Sequence, residues 1–462
     1  MRRLVGKRHN GRMPSNSGSA RLSWHNWAGN VTASPQRVAS PGTAAEVAAE
    51  VRRAATDGQT IRMAGSGHSF TPASVTDGVL LRPDRLTAVR SIDATAGTVT
   101  VEAGCPLHVL NTDLAARGLS LANMGDIQVQ TVAGATQTAT HGTGRDVGGM
   151  AAQVAGLELV LADGRLVTCS AESPDGGVTG PDGNPADLLD AARVGLGALG
   201  IVTALTFQIV PAFLLQAREE PMSWSQVMSH LDELIADNEH FEFYWFPHSE
   251  GCLTKRNNRS DGPARPLARW RYMLDDEFLS NSVFGAANRV ARRIPALIPA
   301  INATSARALG SRTYIDVAYK VFTSPRRVRF KEEEYAIPRA ALSDVLAEVR
   351  SLFQRRDWRI SFPIEVRVTP SDDVWLSTAY GRDSAYIAFH VFHSAPHEQY
   401  FNDVEAVMAS VGGRPHWGKM HTRDAGYLRS AYPRMADFVA LRDHLDPDRR
   451  FGNDYLRQVL GS

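Results

Sequence analysis

NMGDIQVQTVAGATQTATHGTG, residues 123–144, holds one carboxylate, Asp126, one histidine, His141, and no lysine or arginine. Its side chains are almost all small or hydroxyl-bearing, so it cannot fill a hydrophobic core as a packed strand along its length. Connections this long with no structure of their own are uncommon unless they bind something. Backbone N–H groups exposed along such a segment form nests for a phosphate, and its threonine hydroxyls add donors. The segment therefore reads as ligand-binding, and the rest of the chain is arranged around it.

Upstream, MAGSGHSF at residues 63–70 sets His68 among Gly65, Ser66, Gly67 and Ser69. The preceding TIRMAG has a strand pattern that stops at the glycines, which places His68 on a loop just beyond a strand end. Alone, such a histidine reads as a loop residue satisfied by backbone. Together with 123–144 it becomes a candidate ligand or nucleophile toward a cofactor. Thr43 followed by Glu46 forms a capping box and predicts a helix from about Thr43 to Asp57. GVLLRP and TVTVEAG read as short strands, PLHVLNTDLAARG as a helix closed by Gly118, and GLELVLADGRLVTCS as a hairpin turning at Asp163 and Gly164. LLDAAR leads into the strand IVTALTFQIV, ended by Pro211, near which the domain boundary is placed. Gly195, Gly197 and Gly200 match GxGxxG, but a helix precedes them and a strand follows, the reverse of a dinucleotide fingerprint.

In the second half, SWSQVMSHLDELIAD, RAALSDVLAEVRSLFQ and HEQYFNDVEAVMASV have helical periodicity, while HFEFYWFP, ISFPIEVRVTP and AYIAFHVF read as strands. This alternation favours a sheet covered on one face by helices. The stretch from Arg256 to Ser311 is expected to be partly helical and mobile. In PIEVRV, period two puts Glu365 and Arg367 on one face. Such a pair is most often a plain ion pair; facing a substrate, it could accept from a hydroxyl and stabilise an oxyanion. RPHWGKMH offers His416, Lys419 and His421, whose spacing lies outside helical metal-ligand pairs, so no metal is expected.

The 462 residues exceed one ordinary core, and two domains are expected. A formal net charge of +1 offers no field for gathering nucleic acid. Three scattered cysteines suggest neither a disulfide framework nor a zinc site, and a cytoplasmic setting fits them. Residues 1–22, basic and rich in Ser, Gly and Asn, read as a disordered arm rather than a secretory signal. No apolar run is long enough to span a bilayer, which leaves peripheral membrane contact open.

GSGHSF, MGDIQVQTVAGATQTATHGTG and GALGIVT, in this order, resemble the FAD-binding domain of the vanillyl-alcohol oxidase type of flavoproteins. Within that type the chain is similar to the aldonolactone oxidoreductases, which are gulonolactone, arabinonolactone and galactonolactone oxidases and dehydrogenases, with alditol oxidases as near relatives. The likeness runs from about Trp24 to Leu460. It implies an α+β architecture, with a two-subdomain FAD-binding domain of the PCMH type over 23–212. An α+β substrate (cap) domain over 213–462 would follow, its antiparallel sheet roofing the flavin. It implies FAD, bonded through its 8α methyl to His68, with Gly65, Ser66, Gly67 and Ser69 alongside. Gly125, Asp126, Val132, Gly134, Ala135, Thr138, Thr140, His141 and Gly142 would lie beside the pyrophosphate and flavin, and Ile201 and Val202 at the adenine side.

The same resemblance places Glu365 and Arg367 against the substrate and Lys419 at the flavin N1 and C2 edge, supported by His416, with His390 a weaker catalytic candidate. The implied reaction is oxidation of an aldono-1,4-lactone at a CH-OH group by hydride transfer to flavin N5, giving an ascorbate-type product. Electrons would pass to dioxygen or to a redox carrier such as a cytochrome. An alditol oxidase acting on xylitol or sorbitol is the nearest alternative; TATHGTG and HWGKMH lean toward the lactone group. A catalytically silent flavin-binding protein is the alternative of another class, and the joint presence of His68, Glu365, Arg367 and Lys419 argues against it.

Overall fold

The computed structural model describes residues 22–462, so all but the last residue of the predicted N-terminal arm lies outside the described residues. Two sheets dominate the first half, beside two short two-stranded ones. Arg37–Ala39, Val79–Leu81 and Ile61–Met63 form a parallel sheet in that order, crossed by the helix Ala44–Thr56. That helix buries Val47, Ala48, Val51 and Ala54, and each buried valine contributes roughly 1.5–3 kcal/mol. Thr43 Oγ1 accepts from Glu46 N as predicted, but the Glu46 carboxylate returns to Gly42 N at 2.7 Å rather than to Thr43. The second sheet is antiparallel, in the order Leu166–Ser170, Val154–Val160, Ile201–Gln208, Thr98–Glu102, Val89–Asp93. Its first two strands are the predicted hairpin, with Gly164 at φ +81° in the turn.

After Pro211 the chain enters an eight-stranded antiparallel sheet in the order Arg312–Val317, Leu214–Ser223, Gly251–Arg259, His240–Trp245, Ile364–Thr369, Ser384–Phe392, Phe330–Pro338, Arg414–Pro415. Period two sorts its two faces. Phe241, Phe243, Ile364, Val366, Ile387 and Phe389 point one way and pack under the helices Leu342–Arg355 and Glu398–Ser410. Glu242, Glu365, Arg367, Glu332, Glu334 and His390 point the other way, toward the first half. The mixture of helices and antiparallel sheets is the α+β class that the sequence implied.

Several elements differ from their sequence reading. SWSQVMSHLDELIAD is two short helices, Trp224–Ser229 and Leu231–Ala236, broken at His230. ISFP stays outside the strand, which starts at Ile364. Leu214–Ser223, Gly251–Arg259, Arg312–Val317 and Phe330–Pro338 are strands beyond those read from the sequence; in the first and last of them the runs REE and KEEE hide the period-two signal. In the Arg256–Ser311 stretch, the first residues end a strand and helices follow at Arg269–Tyr272, Phe284–Arg293 and Ile298–Ala308.

The chain finally returns to its beginning. Leu428, Met435, Phe438 and Leu456, from helices near the C-terminus, share one core with Val99, Leu110, Val132 and Phe207 of the first half. Phe451 joins the cluster of Val47, Val51, Ile61 and Val79, and Ile61 N donates to Arg450 O at 2.9 Å.

Candidate active site

The strand Ile61–Met63 delivers the His68 loop, and the loop is pressed tightly against its neighbours. A Cβ on Gly65 would sit 2.4 Å from Thr131 Oγ1, and Gly67 adopts φ +70° while its carbonyl accepts from Trp27 N at 2.8 Å. Glycine is thus required at both positions. Ser66 Oγ donates to Val129 O at 2.6 Å, tying this loop to the 123–144 segment, and Ser69 O accepts from Asn26 Nδ2. The His68 ring stacks on Trp27 at 5.3 Å between centroids. No described residue hydrogen-bonds the ring, so the backbone-satisfied loop histidine is not what forms. Burial, then the charge of Lys419, pushes His68 down to about 4, leaving a neutral imidazole at neutral pH.

Within 123–144 the chain is less irregular than its composition suggests. Val132–Gln137 forms a short helix capped by Thr131, whose Oγ1 accepts from Gly134 N at 3.2 Å. Small residues gave no hydrophobic period from which to read it. Val132 and Ala135 are fully buried, and Gly142 packs where a Cβ would meet Met124 O at 2.3 Å; these three predicted cofactor residues form the wall behind the site rather than its lining. Gly134 and Thr138 do line it, as do Ile201 and Val202.

The lining belongs to two clefts. One runs past Gly65, Ser66, Gly67, Gly134 and Ile201. The other runs past Gly125, Asp126, Thr140, His141, Glu365 and Arg367. They join at His68, Ser69, Gln130 and Thr138, which line both. These shared residues join the two clefts into one elongated site. The first is nearly free of charge. Its Arg62 is committed to structure, donating to Gly197 O, Phe451 O, Ala73 O and Leu196 O at 2.5–2.8 Å.

The second cleft is dense with charge. Arg367 pairs with Glu365 through Nη2 and with Glu242 through Nε at 2.8 Å, and lies 3.8 Å from Asp126. Tyr244 OH donates to Glu365 at 3.0 Å. Burial raises Glu365 above its usual range, against the pull of Arg367. Burial would also raise Asp126, but Arg326 and Arg367 overcome it and hold the carboxylate low. Across the cleft Lys419 pairs with Glu332, which also lies 3.4 Å from His390 Nε2. His390 Nδ1 is 3.2 Å from Pro363 O, so both ring nitrogens are engaged on the cleft face. Glu242, Glu332, Glu334, Tyr244, Arg326 and Gln130 were not read from the sequence. Glu242 is the single carboxylate of HFEFY, and Glu332 and Glu334 sit in KEEEY, a run that resembles a solvated face until the strand pairing is known.

His416 hydrogen-bonds through Nδ1, which accepts from Gly418 N at 3.0 Å, and burial drives its pKa down to about 3. A neutral ring with Nδ1 accepting carries its proton on Nε2. His141, Glu334 and His416 bring their ligand atoms within 4.8 Å of one another, and Nδ1 of His416 is already taken by Gly418 N. His421 turns elsewhere, 3.0 Å from Tyr455 OH. His141 stacks on Tyr386 at 3.6 Å and lies 3.2 Å from Glu334, which positions strand Phe330–Pro338 against the 123–144 segment.

The residues present fit a flavin dinucleotide. A long groove, walled by glycines and small hydroxyl residues at one end, opens beside an unbonded histidine into a chamber where Lys419 and Arg367 supply positive charge. A cation beside a flavin ring favours its reduced, anionic form.

Comparison with known proteins agrees with this geometry. Residues 35–170 match the family model of the FAD binding domain, and residues 205–459 match that of D-arabinono-1,4-lactone oxidase. L-gulono-1,4-lactone dehydrogenase of Mycobacterium tuberculosis is 43% identical over 95% of this chain and 99% of its own length. L-gulonolactone oxidase of Bos taurus is 30% identical over 95% and 98%. Among solved structures, a solvent-stable cholesterol oxidase superposes with a TM-score of 0.80 at 19% identity over 96% of this chain and 98% of that one, a likeness of fold.

Proposed function

The chain belongs to the D-arabinono-1,4-lactone oxidase family and carries its FAD-binding domain, and from that premise we propose that it oxidises a sugar-derived aldono-1,4-lactone, gulono- or arabinono-1,4-lactone, at a CH-OH group. The observation that carries this reading is the Glu365–Arg367 pair facing Lys419 across a chamber that opens from the His68 groove. FAD, when bound, supplies the acceptor for the hydride of the carbinol carbon. Glu365, raised by burial, is suited to take the hydroxyl proton at a carboxylate oxygen, because a base works best when its pKa approaches the working pH. Arg367 stabilises the developing alkoxide, and Glu242 and Tyr244 hold the pair in place. Lys419, fixed by Glu332, would favour the reduced, anionic form of the cofactor ring, and His416 and His390 brace that wall. The enclosing walls, Phe70 and Phe330 among them, exclude water from the reacting atoms.

His68 is the residue we assign to a covalent bond with the flavin 8α methyl; its free, neutral, partly buried ring supports the assignment. Residues 23–212 would hold the cofactor and 213–462 most of the substrate wall. The electron acceptor is dioxygen or a redox carrier such as a cytochrome.

Side-by-side steady-state assays on gulono-1,4-lactone, arabinono-1,4-lactone and xylitol test the substrate: a lactone is expected to turn over fastest, and preference for xylitol would overturn the reading. Acid denaturation tests the tether. The yellow chromophore should stay with the wild-type chain and leave His68→Ala; complete release from the wild type would remove it. Reduced enzyme mixed with dioxygen separates the acceptors, slow reoxidation pointing to the carrier.

A further inference from the structure

By resemblance Asp126 would lie beside the cofactor, but it lines only the charged chamber and not the glycine groove. A carboxylate repels a pyrophosphate and accepts well from hydroxyls. The backbone before it is closely packed, since a Cβ on Gly125 would sit 3.0 Å from Thr140 Cγ2 and 3.2 Å from His141 O. From the second half of the chain, the loop 323–329 closes on it. Ser324 N donates to Asp126 O at 3.1 Å, and Arg326 donates to the side chain through Nε at 3.2 Å and Nη2 at 2.7 Å. Asn281 pins the loop as well: its Nδ2 donates to Pro325 O at 3.1 Å and its Oδ1 accepts from Arg327 N at 2.8 Å.

Both Arg326 nitrogens, and Arg367 Nη2 at 3.8 Å, reach the same oxygen of Asp126, Oδ2. Oδ1 accepts from no described residue, and it is not enclosed: the side chain is 21% exposed and lines the chamber. Arg326 Nη1 likewise donates to no described residue, and Arg326 lines the same chamber. Burial opposes the charge on Asp126, but Arg326 and Arg367 keep it ionised. An open anionic acceptor beside an open cationic donor matches two neighbouring hydroxyls, one donating to Oδ1 and the next accepting from Nη1. Arg367 sets the distance to the chemistry. It pairs with Glu365 and lies 3.8 Å from Asp126, so the two carboxylates stand one guanidinium apart, a gap that a five-membered lactone ring can span.

Resting on the lactone-oxidation reading above, we infer that Asp126 and Arg326 grip the hydroxylated tail on C4 of the substrate while its C2 carbinol lies against Glu365, and that they select a tail with a vicinal diol. Oxidation at C2, beside the C1 carbonyl, is what leads to an ascorbate-type ene-diol. The tail leaves the ring on the side away from C2, which is where this pair stands relative to Glu365. Gulono-1,4-lactone carries the diol on C5 and C6. Arabinono-1,4-lactone has one tail hydroxyl, and erythrono-1,4-lactone has none. The pair joins the two halves of the chain across 200 residues, so the tail site exists only when both halves are in place.

The test is a tail series: kcat and KM for gulono-, arabinono- and erythrono-1,4-lactone with the FAD-loaded wild type, D126N and R326Q, loading being read from flavin absorbance. Wild-type kcat/KM is expected to fall along the series. A hydrogen bond to a charged group is worth about 10- to 100-fold in binding, so each variant should raise KM for gulono-1,4-lactone by that factor, with kcat moving much less. The loss should be smaller for arabinono-1,4-lactone and smallest for erythrono-1,4-lactone, which compresses the series. Titration calorimetry with 2-deoxy-gulono-1,4-lactone, which keeps the tail and lacks the reacting hydroxyl, should show the same loss of affinity with no turnover. The two substitutions disturb opposite sides of the pair, so either carries the test if the other fails to fold. Equal losses on all three lactones would make the pair a prop for Arg367 and overturn the inference, as would equal wild-type affinity for lactones with and without the diol. A wild type that oxidises xylitol and no lactone would remove the lactone reading and this tail site with it; lactone turnover with an uncompressed series would remove the tail site alone.

Discussion

The two ends of the elongated cleft are built on opposite principles. At the glycine end, shape comes from backbone and from missing side chains, and the lone guanidinium, Arg62, is fully engaged by four carbonyls. At the other end, shape comes from four neighbouring strands and the site is lined by Asp126, Glu332, Glu334 and Glu365 with Arg326, Arg367 and Lys419 among them, Glu242 backing Arg367. A neutral groove can bind a large cofactor without strongly perturbing its electronics. A buried charge network costs desolvation, so each member depends on its partner. The difference separates binding from chemistry, and the two ends should respond differently to substitution.

Arg367→Met should break the charged end most severely. It leaves Glu365 and Glu242 buried without their partner, and kcat/KM is expected to fall by about 10³ while FAD content is retained. The same variant should lose roughly 3–5 kcal/mol of stability, measurable by denaturant unfolding. Lys419→Met should lower kcat by about 10² and make the bound flavin harder to reduce, read as a more negative potential. Gly65→Val tests the other end. Its side chain must displace Thr131, a strain of about 1–3 kcal/mol, so the purified protein should carry less FAD while its loaded fraction turns over at near the normal rate. A loss of turnover with full loading would erase the distinction between the ends.

The smallest expected effect is a pH slope. His416 is depressed to about 3 in the folded protein, from an ordinary histidine value near 6.5. The unfolded chain therefore takes up a proton below about pH 6.5 that the folded protein refuses until far lower. Stability from this group is complete above pH 6.5 and declines as pH falls toward 3, by up to about 1.4 kcal/mol per pH unit. His416→Gln should flatten that part of the Tm-against-pH curve, and an unchanged slope would place the titration elsewhere.

These two principles also explain what could be read from the sequence. The glycine end is local: His68 and its flanking residues, the Thr43 cap and the Asp163–Gly164 turn are each set by a few consecutive residues, and all were legible. At the charged end Glu365 and Arg367 were legible because period two needs only one strand. Their partners were not. Glu242 meets Arg367 across 125 residues of sequence, and Glu332 and Glu334 belong to a run of three glutamates whose faces separate only once the strand is paired. The middle member, Glu333, lies on the helix-covered face, where burial and then Glu405 push its carboxyl well up. The Val132–Gln137 helix escaped for the opposite reason, having too few large side chains to show any period.

The return of the C-terminus to the first sheet bears on how the protein is made. Arg62 takes one of its four acceptors from Phe451, 389 residues later, and Asn453 donates to Pro72 O, Ala73 O and Val75 O just past the His68 loop. A ribosome must add nearly 390 further residues after Arg62 before those contacts exist. The glycine groove therefore cannot close during translation of its own half, and cofactor capture must wait until residues 450–453 have left the ribosome. Nascent chains stalled before residue 450 should remain colourless in the presence of FAD.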